Sequence, residues 1–196
     1  MVRLSLASTL PRLGESDRWR LAEILGSEKE DRGDVFLPRL IWYGLAPVLL
    51  NDVPRALDLA SSTPMPMLSD SIHWYLSKAP EGRALLTENL KASGSRSERI
   101  LNLMAEALPS GTRVPAPQGW NEVVALRRNP KTSAALDKLG GVFGDASVLA
   151  MMRAKAVDEG ASLADRTVAL QFLKESGDTE CADEFITLLR HPELMP

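Results

Sequence analysis

The longest run of apolar residues covers positions 35–50, where the chain reads VFLPRLIWYGLAPVLL. Apolar side chains fall on every side of the helix that this run would form, and Arg39 is its only charge. A helix that is hydrophobic all round is normally buried, so we predict a buried hub helix over residues 37–50. Pro38 suits a first helical turn, whereas Pro47 removes a backbone hydrogen bond and predicts a kink or break.

A membrane span is the competing interpretation of the same run. A span needs about 20 mostly apolar residues, and this run is shorter and contains two prolines, a glycine and an arginine. We therefore expect no membrane insertion. The first ten residues, MVRLSLASTL, also lack the apolar core and the cleavage pattern of a signal peptide.

The rest of the chain has helical periodicity, with apolar residues three and four positions apart and no alternating β-branched runs. Residues that favour helix ends divide the pattern into short helices. The predicted N-terminal caps are Asp17, on a helix that ends near Gly26, then Asp52, Ser95 with Glu98, and Ser162 with Asp165. Prolines make residues 63–66 a rigid connector. The fold class predicted is all-α.

Residues 109–118, PSGTRVPAPQ, form the longest segment without helical periodicity. Its prolines and small residues favour an extended linker. We divide the chain into N-terminal helical hairpins over residues 1–108, this linker, and C-terminal hairpins over residues 119–196. All three belong to one continuous domain in this interpretation.

The C-terminal part contains an internal repeat. ALDKLGGVFGDASVLAMM, over residues 135–152, resembles ALQFLKESGDTECADEFI, over residues 169–186, and the pair Gly144-Asp145 recurs as Gly177-Asp178. In both copies an apolar helix is followed by glycine and then by a second helix, whose inward residues we expect to be Val148, Leu149 and Met152 in the first copy and Ala182, Phe185 and Leu189 in the second. Hairpins of this kind stack to bury their apolar faces, so we predict an α-α superhelix of the HEAT or armadillo type.

Composition narrows the classes of function. The 196 residues are 44% hydrophobic and 25% charged, with a net charge of -3, so no general attraction to nucleic acid is expected. The single cysteine, Cys181, excludes an internal disulfide, a zinc site built from several cysteines and a C-x-x-C-H haem attachment. We predict no cofactor and no metal.

Few residues invite a chemical interpretation. Glu30, Asp31 and Asp34 belong to an acidic connector over residues 28–34, which a metal or acid–base site could use, although mixed charges in a short loop usually form a solvated surface. His73 and Trp74 suggest catalysis or ligand stacking, but sequence places no second histidine nearby, and both are expected off the main apolar face. If the Trp42 side chain were exposed, it would form with Tyr43 a surface for a ligand or a partner.

One resemblance concerns nearly the whole chain. Glu30-Asp31, Asp34, Leu37-Pro38, Ile41-Trp42-Tyr43-Gly44 and Gly119-Trp120 resemble the helical-repeat segment of large bacterial proteins called membrane-bound dehydrogenases. In those proteins a β-propeller precedes the HEAT-like helices and a cytochrome c domain follows. Val35-Phe36 replaces a His-Asn pair of that pattern, and Ala46 replaces a glutamate, so no function of those polar positions transfers.

The resemblance implies a segment of a larger oxidoreductase in the periplasm or cell envelope. The amphipathic pattern already under way at Val2, Leu6 and Leu10 favours the same interpretation. The function expected is a non-catalytic scaffold that binds other domains of a parent chain or a protein partner, as solenoids commonly do. The alternatives are a small enzyme domain using the acidic connector, and a nucleic-acid-binding HEAT-like domain with Lys and Arg gathered on one face.

Overall fold

The computed structural model describes residues 2–92, 96–108, 113–182 and 186. Within those ranges it contains eleven α-helices and no strand, which confirms the prediction of an all-α fold. The helices are α1 (Val2–Thr9), α2 (Glu15–Gly26), α3 (Leu37–Leu45), α4 (Val53–Ser62), α5 (Pro66–Leu76), α6 (Pro80–Ala92), α7 (Ser97–Ala107), α8 (Trp120–Arg127), α9 (Ser133–Phe143), α10 (Ala146–Val157) and α11 (Leu163–Glu175).

The chain divides into two compact units. The first comprises residues 1–107 and 117–119 and contains α1 to α7. The second comprises residues 108–116 and 120–196 and contains α8 to α11. Residues 113–118 form no helix.

Two helices occupy the centre of the first unit. α3 packs against α1, α2 and α5, and α5 packs in addition against α4, α6 and α7. The α3 helix ends at Leu45 and continues as a 3-10 helix over residues 46–51, which confirms the predicted break near Pro47. The missing N–H of that proline explains the change, because an α-helix cannot form its regular bond there.

The prediction that apolar side chains would be buried on every side of this helix is wrong. Ile41 and Leu45 are fully buried, but Phe36 and Tyr43 are 66% and 67% exposed and Trp42 is only half-buried. The neighbouring helices cover one side of α3, and none of the described helices packs over Phe36 and Tyr43 on the other side. Apolar composition alone therefore did not determine burial.

Two of the helix caps predicted from the sequence are present. The Asp52 carboxylate accepts a hydrogen bond from Arg55 N at 3.1 Å and caps α4, and Ser162 Oγ accepts one from Asp165 N at 3.1 Å and caps α11. Asp17 is not a cap, because the extended backbone of Gly14 precedes α2 and leaves Asp17 in the first turn. The predicted cap at Ser95 lies outside the described residues.

The recurring glycine turn is present in both copies of the repeat. Gly144 and Gly177 have φ values of +69° and +60°, a left-handed conformation that glycine adopts without strain. After α9, Asp145 N donates to Gly140 O at 2.8 Å, and after α11, Asp178 N donates to Leu173 O at 3.2 Å. Both turns therefore end a helix with the same bond across five residues, as in a Schellman motif.

The second unit has its own core. The Trp120 and Phe143 rings meet edge to face with centroids 4.9 Å apart, and α10 and α11 enclose a cluster that includes Leu149, Leu173 and Cys181. Ala182, which we predicted to point inward, is exposed because the preceding Cys181 takes the buried position. Phe185 and Leu189, also predicted inward, lie outside the described residues.

Candidate functional site

The acidic connector is held by one arginine of α1. Arg3 Nη2 lies 2.9 Å from Glu28 Oε2, Arg3 Nη1 lies 2.8 Å from Asp31 Oδ2, and Glu30 Oε2 lies 3.5 Å from the same guanidinium. These are exposed or half-exposed ion pairs, which contribute little to stability. Among the described residues, no group of three metal-ligating side chains is assembled here or elsewhere.

Asp34, the last candidate of that connector, caps α3. Its Oδ1 accepts hydrogen bonds from Phe36 N and Leu37 N, each at 2.7 Å. Those two backbone bonds, led by the one from Leu37, hold the pKa of Asp34 below its ordinary value. The carboxylate therefore orients the start of the helix that carries Trp42 and Tyr43.

The two tryptophan candidates line one shallow cavity. Trp42 and Trp74 border a space of about 330 Å³ in the first unit, and Leu103 and Asp70 border it with them. The Trp42 ring meets Tyr75 edge to face with centroids 5.3 Å apart. Lys78 Nζ lies 3.5 Å from the centroid of Trp74, so a cation already covers one face of that indole.

The structure corrects the position predicted for His73. Its side chain was expected off the main apolar face, but the residue is only 3% exposed. The sequence pattern missed this because α5 is surrounded by four helices, so more than one of its sides is buried. Nδ1 lies 2.8 Å from Ser69 O, which places a proton on Nδ1, since a carbonyl oxygen only accepts.

The other nitrogen of His73 has a different environment. Nε2 is buried and has no hydrogen-bond partner among the described residues. Burial lowers the pKa of His73, and the positive charge of Arg96 acts in the same direction, against smaller opposing effects of Ser69 O and Asp70. The imidazole is therefore neutral near pH 7, and Nε2 is a bare acceptor.

His73 lines a cavity of the first unit with a volume of about 410 Å³. The charged residues of its lining are three arginines, Arg32, Arg96 and Arg99, and the carboxylate of Asp70, and Thr63 and Ser69 add hydroxyl groups. Arg99 Nη2 donates to Asp70 Oδ2 at 2.7 Å, and Arg96 Nη1 donates to Ser61 O at 2.8 Å. The Arg32 side chain has no such bond within the described part of the chain.

The sequence identified His73 as a candidate residue but gave no indication of the three arginines beside it. They come from separate segments, and only the spacing of Arg96 and Arg99, three residues apart at the start of α7, could have indicated a shared face. Of the other candidates, the structure brings Trp42 and Trp74 together and groups Glu30 with Asp31. Tyr43 stands apart from both groups, and the second histidine, His191, lies outside the described residues.

Comparison of the chain with protein-family models, with curated proteins and with solved structures finds no match. In the part of the chain that the structure describes, no helix combines the length and the apolar character needed to cross a membrane.

Proposed function

We propose that the chain is a non-catalytic helical-repeat domain that binds a folded protein partner. The observation that carries this proposal is the α3 outer surface, formed by Val35, Phe36, Arg39 and Tyr43. The three apolar members are 59%, 66% and 67% exposed, and Arg39 is exposed between them. Phe36, Arg39 and Tyr43 lie three and seven positions apart, a spacing that brings side chains to one side of a helix.

The composition of the α3 outer surface is that of an interface. Aromatic residues and arginine are enriched where proteins bind one another, and they provide most of the residues whose loss weakens binding strongly. Large apolar side chains exposed together on one side of a helix commonly mark a surface that a partner covers. A partner with an apolar groove and a carboxylate opposite Arg39 complements this surface.

Contacts near both ends of α3 hold the helix that carries this surface. Asp34 caps α3 through two backbone N–H groups, and Gly44 allows close packing against the segment that follows α1. A rigid helix loses little conformational entropy on binding, which favours affinity. The proposal assigns the acidic connector a structural part, since Arg3 pairs with Glu28, Glu30 and Asp31.

The proposal extends to the finer fold and to the context of the chain. The recurrence of one turn geometry at Gly144 and Gly177 supports a repeat of the HEAT or armadillo type stacked as an α-α superhelix. The resemblance to membrane-bound dehydrogenases supports a partner that is another domain of a parent oxidoreductase or an envelope protein. A solution-scattering profile of an elongated particle would agree with a superhelix, and that of a compact sphere would contradict it.

Photo-crosslinking from the α3 outer surface tests the proposal. Benzoylphenylalanine replaces Phe36 or Tyr43, and the chain is expressed in its own cells and irradiated. We expect both positions to cross-link to the same protein, because they lie on one side of α3. The Arg39→Glu substitution should abolish both products, since it reverses the charge in the middle of the surface.

Ile24 provides the matched control, because it is apolar and 54% exposed on α2. A cross-linker at that position should give no such product. The proposal is wrong if neither position on α3 yields a product, or if Ile24 yields the same one.

A further inference from the structure

The cavity that His73 lines contains more hydrogen-bond donors than the protein uses. Each guanidinium carries five N–H donors and no acceptor. The bonds of Arg96 to backbone oxygens use Nη1, the bond of Arg99 to Asp70 uses Nη2, and the Arg32 side chain makes none among the described residues. Donors from three guanidinium groups therefore remain for another molecule.

The charge of the cavity is positive. His73 is neutral, and three arginines with the single carboxylate of Asp70 leave a net charge of two positive units. Arg96 immediately precedes α7 and Arg99 lies in its first turn, where the helix dipole adds positive potential. Both the charge and the helix end favour an anion.

The buried histidine is a second, independent indication. His73 is 3% exposed, lines the cavity and leaves Nε2 without a partner in the described part of the chain. Buried polar atoms are almost always hydrogen-bonded, so a partner for Nε2 is expected. In the neutral ring Nε2 only accepts, so an anion beside it favours the protonated ring, in which Nε2 donates to the anion.

We propose that this cavity binds a small phosphate ester, with the phosphate group on Arg32, Arg96 and Arg99. A phosphate dianion matches the net charge, and planar guanidinium groups bind its oxygens in pairs. The volume of about 410 Å³ lies within the range of small-molecule sites and leaves room for an organic group. The site does not depend on the α3 outer surface, so it stands or falls separately from the proposed partner.

Calorimetric titration of the whole chain with phenyl phosphate tests the site. At about pH 8 the phosphate ester is a dianion, and we expect saturable binding at one site. Arg32→Gln should weaken that binding about tenfold or more, because it removes a charged donor. Since Arg32 is exposed and its side chain is unbonded in the described structure, this variant should fold normally.

Two controls distinguish the site from general charge attraction. Arg20→Gln removes an exposed arginine of α2 and should leave the affinity unchanged. Acetate, a singly charged carboxylate, should bind about tenfold or more weakly than phenyl phosphate if the double charge is recognised. Equal loss in the two arginine variants, equal binding of acetate, or no saturable binding would each overturn the assignment.

The imidazole of His73 reports the position of the ligand. We expect phenyl phosphate to raise the pKa of His73, measured by NMR titration with His191 replaced by glutamine to leave one imidazole signal. The rise follows because a nearby anion stabilises the protonated ring. Saturable binding without a change in this pKa would place the ligand elsewhere and contradict the proposal.

Discussion

The guanidinium of Arg153 binds the carboxylate of Asp178 through two parallel hydrogen bonds, 2.6 Å from Nε to Oδ2 and 2.8 Å from Nη2 to Oδ1. The Asp178 side chain is 1% exposed, so this pair joins α10 to the turn after α11 away from water. The hydrogen bond from Arg153 is the main cause that holds the pKa of Asp178 below its ordinary value of 3.8. Two-point geometry of this kind is stronger than a single contact.

Replacing Asp178 by asparagine should destabilise the second unit, because it leaves the Arg153 guanidinium without its carboxylate. Glu180→Gln is the matched control, since Glu180 contacts the same guanidinium but its side chain is 77% exposed. We expect thermal unfolding to show a clearly lower Tm for the first variant and little change for the second. Equal changes would mean that the buried pair has no special part.

The same pair predicts a dependence on acid. Because the pKa of Asp178 is lowered in the folded chain, its stabilisation is present above the ordinary pKa and is lost as pH falls through the folded value. The difference in free energy of unfolding between the parent and Asp178→Asn should therefore shrink below about pH 4. Urea denaturation at several pH values measures it, and a difference that does not change with pH would contradict the assignment.

His73 predicts a second pH effect at higher pH. Its pKa is lowered by burial, so the unfolded chain binds a proton more readily than the folded chain. Stability should be fully present above the ordinary pKa of 6.5 and should fall as pH decreases toward the folded value. A His73→Gln variant should lack this decline below about pH 6.5 when both proteins are compared by urea denaturation. An identical decline in both would assign the effect to other groups.

Structural features that depend on residues close in the sequence could be predicted, and features that depend on distant segments could not. The caps at Asp52 and Ser162 and the glycine turns at Gly144 and Gly177 involve backbone groups within a few residues, so local residue types determine them. The burial of His73 was not readable, because it depends on helices that are distant in the sequence. The cavity was missed for the same reason.

The exposure of one side of α3 could not be predicted either. Its residues are apolar all round, and the sequence alone gives no reason to leave Phe36 and Tyr43 in water. Only the arrangement of α1, α2 and α5 determines which side is covered. A residue pattern specifies what can be buried, and packing decides what is buried.

The four tryptophans differ in how much they stabilise the fold. Trp19 is 1% exposed, and the Arg55 guanidinium lies 5.2 Å from its ring, whereas Trp42 is half-buried. Trp19→Ala should reduce the free energy of unfolding by about 3–5 kcal/mol, because it opens a large cavity. Trp42→Ala should cost roughly half as much, since less of its surface leaves water on folding. Urea denaturation compares them, and a larger loss at Trp42 would restore the interpretation of α3 as a buried hub.

Gly44 allows α3 to approach the segment after α1. A Cβ atom at this position would collide with the Cβ and side chain of Leu10, so Gly44→Ala should lower the free energy of unfolding by about 1–3 kcal/mol. Gly33→Ala is the control, because a Cβ there meets nothing within 4 Å. Denaturation midpoints decide the matter. A Gly44→Ala chain as stable as Gly33→Ala would show that the two segments separate at no cost.

The nearest obstacle at Gly44 is the Cβ atom of Leu10, which every amino acid except glycine possesses. Only glycine at position 10 would remove that atom, so the restriction comes from the close crossing of the two backbones. Among descendants of this sequence that keep the crossing, position 44 should accept no other residue while position 10 varies among apolar types. A glycine retained at position 44 in such sequences would therefore indicate that they keep this crossing of α3 and the segment after α1.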